Sequence, residues 1–267
     1  MRTMQIIHRI SISSTPEIRG ELAALGVIVG ASGLVTFEVD EAHEAWSALR
    51  QWIAKSGAAD IVSTKFSERE LAEASWFALE PGWHHGYPQP IEAHFGYRDA
   101  TYAKASFCEQ CGIGLEQKAP FQMKSEPRWG RNGILQLYWV FDEFFVTPEV
   151  WSTVFNPNGV GCRPVLDVDG TELKTVVQLV IQEQVGVVVM GLEVERCARC
   201  ERVKYFPVTR GAFPPLASEP PTRMAKTREY FGSGASAHKG VLVSREVARA
   251  LAAEKVRGAL VRPVRER

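Results

Sequence analysis

Two Cys-x-x-Cys pairs constrain this chain more than anything else in it. They are Cys108-Glu109-Gln110-Cys111, followed by Gly112, and Cys197-Ala198-Arg199-Cys200, with 85 residues between them. Two thiols at this spacing can grip one ion from a tight turn, and a glycine after the second lets backbone N–H groups approach the sulfurs. Two such turns brought together make a closed tetrahedral shell of thiolates, the arrangement of structural zinc. The spacing therefore predicts a zinc-ribbon-like site of Cys108, Cys111, Cys197 and Cys200, with the segment between the pairs returning to its starting point. A redox pair would instead open a helix in a thioredoxin-like unit. The segments "GIGLEQ" and "ERVKYF" beyond Cys111 and Cys200 look like strand or loop. Unligated core thiols are the third reading.

Compartment bears on that choice. No run of eighteen apolar residues is present, and "MRTMQIIHRISISSTPEIRG" lacks the apolar block of a secretory signal. The expectation is a cytoplasmic protein without a membrane partner, whose clustered thiols stay reduced and free for metal.

The 267 residues are enough for one large domain or two ordinary ones. The first 70 read as an α/β unit. "MQIIHRISI", "LVTFEVD" and "DIVSTKF" are β-prone. "TPEIRGELAALG" is a helix with Thr15 as N-cap, Pro16 at its first position and Gly26 near its end. "EAHEAWSALRQWIAKSG" is a helix closed by Gly57. Beyond residue 106 the β-prone runs are 133–146, 175–181 and 185–194, with hairpin connections expected at "DVDG" (167–170) and near 183–184. The prolines and glycines of 207–240 predict an irregular surface segment, and "GSGASAHKG" within it a mobile loop. The fold expected is α+β: a small α/β domain over 1–80, a connector over 81–105, and a β-rich domain stapled by the four-cysteine site over 106–267.

That larger domain contains a repeat. "FFVTPEVWSTVFNPNGVGCRPV" (144–165) resembles "VLVSREVARALAAEKVRGALVRPV" (241–264). Val146-Thr147 answers Val243-Ser244, and Arg163-Pro164-Val165 answers Arg262-Pro263-Val264. Each copy reads as a strand, a hydroxyl N-cap, a helix and a strand begun by glycine, which points to duplication. Cys162 aligns with Val261 and is therefore read as an apolar core position outside the metal site.

Other residues invite chemistry. His84 and His85, with Glu92 and His94 nearby, offer metal ligands, but no His-x-Glu or His-Glu-x-x-His pattern links them, and aromatic packing is the favoured reading. Asp142 and Glu143 with Glu172 and Lys174 could build a metal-dependent nuclease centre, or simply lie wet at strand ends. Arg196, Arg199, Arg202 and Lys204 surround the second cysteine pair, and with Tyr205 and Phe206 they suggest a nucleic-acid surface. Charge is lopsided overall. Residues 1–195 carry 15 Lys/Arg against 25 Asp/Glu, and 196–267 carry 16 against 6. Such a split steers oppositely charged partners or neutralises itself internally.

The paired knuckles around "FVTPEVWSTVF" and "GCRPV" resemble the bacterial double-CXXCG family over roughly residues 106–215. Cys108-Glu-Gln-Cys111-Gly112 carries the family's first motif, while Glu201 stands where the second has glycine. The resemblance implies a non-enzymatic protein-binding role like that of immunity proteins, which inhibit bacterial toxins. Nucleic-acid binding and nuclease activity are the alternatives.

Overall fold

A computed structural model describes residues 4–31, 33–91 and 95–266. The chain is α+β and divides into two units, Met1–Glu73 with Val208–Gly211, and Ala74–Pro207 with Ala212–Arg267. Among the described residues no helix is long and apolar enough to cross a membrane.

In the smaller unit, β1 (Gln5–Ser13) leads through α1 (Pro16–Ala24) to β2 (Leu34–Asp40), then through α2 (Trp46–Ser56) to β3 (Ala59–Lys65) and α3 (Glu68–Glu73). The strands form an antiparallel sheet with β1 in the middle. Thr15 caps α1 as its sequence predicts, its Oγ1 accepting the Ile18 N–H at 3.2 Å. Helix α2 begins later than the apolar pattern suggests. Asp40 Oδ1 accepts the Ala42 N–H and His43 Nδ1 accepts the Ala45 N–H, so side chains hold 41–45 as a turn. Gly57 ends α2 at φ 69°. Ile10, Leu22, Val39 and Leu49 form the core.

The larger unit is two tandem repeats of one pattern. The first comprises β4 (Trp76–Pro81), α4 (Tyr97–Thr101), β5 (Tyr102–Ala103), β6 (Glu116–Gln117), β7 (Ile134–Leu135) and β8 (Phe145–Val146). It continues with α5 (Pro148–Val150), which runs on through a wider turn at Trp151–Phe155 and a tighter one at Asn156–Asn158, and ends with β9 (Gly161–Leu166). The second comprises β10 (Glu172–Val180), β11 (Gln184–Val185), β12 (Val194–Arg196), β13 (Val203–Tyr205), β14 (Met224–Phe231), β15 (His238–Ser244), α6 (Arg245–Ala253) and β16 (Ala259–Pro263).

Each repeat lends its first strand to the other's sheet. One sheet runs β7-β8-β10-β9, and the other contains β14-β15-β4-β16. The registers agree residue for residue. Val146 and Pro164 both face Val177, as Val243 and Pro263 both face Phe77. Cys162 faces Leu179 where Val261 faces Leu79, and Ile134 faces Val146 where Met224 faces Val243. The repeat found in the sequence is thus a repeat of pairing as well, and Cys162 lies outside the cluster of thiols.

Several expected elements differ. Strand β4 belongs to the larger unit, so the boundary falls near 73/74 rather than 80, and the 81–105 connector is built into that unit. The run 133–146 is two short strands paired with each other, because 136–144 loops out and buries Leu137 and Val140. Within 185–194 only the ends are strand, and Val187 bridges Leu216 instead of continuing a ladder. Residues 183–184 are no hairpin, since β11 runs parallel to β14. The 207–240 segment contains the sheet strand β14 and the turn that joins it to β15. The hairpin at 167–170 forms as expected, with Asp167 Oδ1 accepting the N–H groups of Asp169 and Thr171.

Candidate metal centre

Each repeat contributes one cysteine knuckle, carried on a short antiparallel hairpin, β5–β6 or β12–β13. The two turns share one hydrogen-bond pattern. The Cys108 N–H donates to the Ile113 carbonyl at 2.9 Å, and the Gly112 N–H donates to the Cys108 carbonyl at 2.8 Å. In the second turn Cys197 donates to Arg202 at 3.0 Å, and Glu201 donates to Cys197 at 2.9 Å. The residue after each pair is left-handed, Gly112 at φ 81° and Glu201 at φ 61°. Glycine is required only in the first: a Cβ on Gly112 would lie 2.5 Å from the Ala235 carbonyl oxygen.

The sulfurs pair across the repeats, Cys108 to Cys197 at 3.8 Å and Cys111 to Cys200 at 3.6 Å. The four ligand atoms lie within 4.8 Å of one another. A tetrahedron with metal–sulfur bonds of about 2.3 Å has edges of about 3.8 Å, so the donor set fits one tetrahedral ion. Cys108, Cys111 and Cys197 are buried, and Cys200 is half-buried. Arg202 Nε donates to Cys200 Sγ at 3.4 Å and lowers that thiol to about 6, favouring thiolate. Burial pushes the Cys111 thiol up. Ile113, Tyr230 and Ala237 pack around the cluster.

The basic residues near the second knuckle have divergent fates. Arg196 and Arg199 are exposed. Arg202 is occupied by Cys200 and by the Ser106 carbonyl, to which its Nη2 donates at 2.7 Å. Lys204, expected on a nucleic-acid surface, is 1% exposed. Its ammonium donates to the carbonyls of Cys111 at 3.1 Å, Ser236 at 3.0 Å and Gly234. It thereby pins the "GSGASAHKG" turn, expected to be mobile, against the first knuckle. Tyr205 and Phe206 are half-buried. Several C-terminal cations pair with acids of residues 1–195: Lys204 with Glu195, Arg210 with Glu41, Lys226 with Glu143, and Arg262 with Glu80. Part of the charge asymmetry is therefore neutralised internally.

The other candidates do not assemble into a metal centre. Glu143 is buried against Lys226, with Asp142 beside it, whereas Glu172 and Lys174 are exposed on β10. Among the described residues the four cysteines are the only group placed to hold a metal. His84 stacks on Tyr138 at 5.4 Å and His85 lies 5.6 Å from Trp83, as aromatic packing predicts. Glu92 and His94 lie outside the described residues.

No family model matches the chain, and neither does any curated protein.

Sequence reasoning missed the chain of buried polar groups from Gln117 through Gln178 and Glu143 to Lys226. Its one signal was the Asp142-Glu143 pair inside an apolar run. Lys226 was hidden in a segment read as irregular.

Proposed function

We propose that this protein is a zinc-stapled binding protein that works by contact with a protein partner, in the manner of an immunity protein covering a toxin's active site. Cys108, Cys111, Cys197 and Cys200 would hold the zinc, which supplies rigidity rather than reactivity when bound. The observation that carries this reading is the cluster of four cysteine sulfurs within 4.8 Å of one another, joined across two repeats and largely buried. Four protein ligands leave no coordination position for a substrate. The resemblance to the double-CXXCG family supports the immunity role, and exposed Arg196 and Arg199 offer charge for steering.

The test has two parts. Elemental analysis of the purified chain should find about one zinc per chain, and a metal-free protein with a Cys108–Cys111 disulfide would restore the redox reading. Nuclease-treated pull-downs from the native host should then recover a stoichiometric protein partner, with no gel shift on random DNA or RNA. Micromolar nucleic-acid binding lost in Arg196→Ala/Arg199→Ala, with no protein partner recovered, would overturn the proposal.

A further inference from the structure

A cleft of about 380 Å³ opens in the larger unit where 139–143 of the first repeat meets 235–239 of the second. Equivalent positions face each other across it. Phe141 lies 5.4 Å from His238, and the Lys239 N–H donates to Asp142 Oδ2 at 3.2 Å. The two repeats differ here, and their differences separate what the fold needs from what the cleft contains.

In the sheet that contains β4 and β16, Arg262 of the second repeat is held by Glu80 of the first at 2.5 Å. The matching residues of the other sheet are Arg163 and Val180, on β9 and β10. Valine has taken the place of the carboxylate, and Arg163 lines the cleft with no carboxylate partner among the described residues. The buried Glu143 and Gln178 answer to Gly240 and Ala78, so the same sheet forms elsewhere without a polar floor. Burying an ion pair costs desolvation that apolar packing avoids, so a floor of this kind points to a role other than holding the sheet.

Two further groups are unsatisfied. Arg98, fixed over the Phe95 ring at 4.1 Å, has a buried Nε without a hydrogen-bond partner, and so has His238 at Nδ1. A buried guanidinium N–H without an acceptor is costly. Asp142 meanwhile forms no ion pair among the described residues. An anion entering the cleft would meet Asp142, and a cation would meet Arg98 and Arg163. A molecule carrying both charges satisfies both sets.

We propose that this cleft binds a small zwitterion of the free α-amino acid class. Its carboxylate is received by Arg98 and Arg163, its ammonium by Asp142, and its side chain by the Trp139 and Phe141 rings at the rim. The cleft volume is that of an ordinary small-molecule site. This site is independent of the protein-binding role.

The test uses the full-length, metal-loaded chain and saturation-transfer NMR with the common free amino acids. The strongest binder is then titrated beside its amide, which lacks the carboxylate, and its N-acetyl form, which lacks the ammonium. Saturable binding is expected, weakened about tenfold or more by either block. Val180→Glu, which copies the Glu80–Arg262 arrangement of the other sheet, should neutralise Arg163 and weaken the free amino acid by a similar factor. Asp142→Asn should erase the preference over the N-acetyl form. Absence of saturable binding by any amino acid would overturn the proposal, as would blocked forms binding as tightly as the parent.

Discussion

Glu143 and Lys226 offer a direct test of how the larger unit handles buried charge. Their side chains are 10% and 12% exposed and meet at 2.5 Å, while Gln178 donates to the second carboxylate oxygen at 3.0 Å. Burial pushes the Glu143 carboxyl up, Lys226 pulls it back, and Asp142 adds to the rise. Glu143→Gln keeps the shape but leaves an interior ammonium without a counter-charge. Breaking one side of a buried pair costs about 3–5 kcal/mol. At roughly 2–4 °C per kcal/mol for a unit of this size, the melting midpoint should fall by about 6–20 °C. Glu143→Leu with Lys226→Met removes both charges at similar volume. That double variant should lie within about 1.5 kcal/mol of the parent, or above it. Urea titration followed by tryptophan emission is the assay, because five of the seven tryptophans lie in this unit. A Glu143→Gln variant within about 1 kcal/mol of the parent would show that water reaches the pair. A double variant no better than the single one would refute the assignment of the cost to unpaired charge.

Serine at any of Cys108, Cys111, Cys197 or Cys200 should lower both metal content and the midpoint of the larger unit, while Cys162→Val should be mild, as elemental analysis and melting will register. Gly112→Ala should destabilise by about 2 kcal/mol or more, since its methyl meets the Ala235 carbonyl, whereas Glu201→Gly should stabilise by about 1 kcal/mol by relieving a left-handed residue. In the smaller unit, burial pushes the Glu41 carboxyl up, but hydrogen bonds from His8 and Arg210 outweigh it and hold the group below its ordinary 4.5. The stability it contributes is present above that value and disappears as pH falls through the lowered one. Acid titration of Glu41→Gln should show a shallower loss than the parent in that window, and identical acid limbs would count against the contribution.

What the sequence disclosed were features set by neighbours along the chain. The Thr15-Pro16 cap, the Asp167 turn and the spacing of each cysteine pair depend on a few adjacent residues, and each is seen in the fold. The repeat was legible because both copies keep Val-Thr/Ser and Arg-Pro-Val at matching places. The origin of the middle strands was not. Strands β4 and β10 share little beyond Phe77/Val177 and Leu79/Leu179, and nothing local reveals that each pairs within the other copy's sheet. Lys204 likewise looked like a surface cation because the carbonyls that receive it lie 30 or more residues away in either direction.

The exchange of strands changes what a metal at this place contributes. In a small zinc finger the ion substitutes for a core too small to hold itself together. Here each repeat lacks the middle strand of its own sheet until the other supplies it, so the two are interlocked before any sulfur is considered. The sulfur pairs then join the repeats again, Cys108 to Cys197 and Cys111 to Cys200, and Lys204 does so a third time through the Cys111 carbonyl. A metal held by the four cysteines would therefore act on the two hairpins that carry them and on the 232–237 turn packed against Gly112, more than on the sheets. That turn forms one wall of the cleft containing Arg98, Asp142 and Arg163. Loss of the metal should consequently loosen the cleft before it unfolds the sheets. Hydrogen exchange after chelation should rise first at 108–114, 197–205 and 232–237, with β8, β10 and β15 still protected. Simultaneous exposure of the sheet strands would show instead that the cysteines hold the whole unit together.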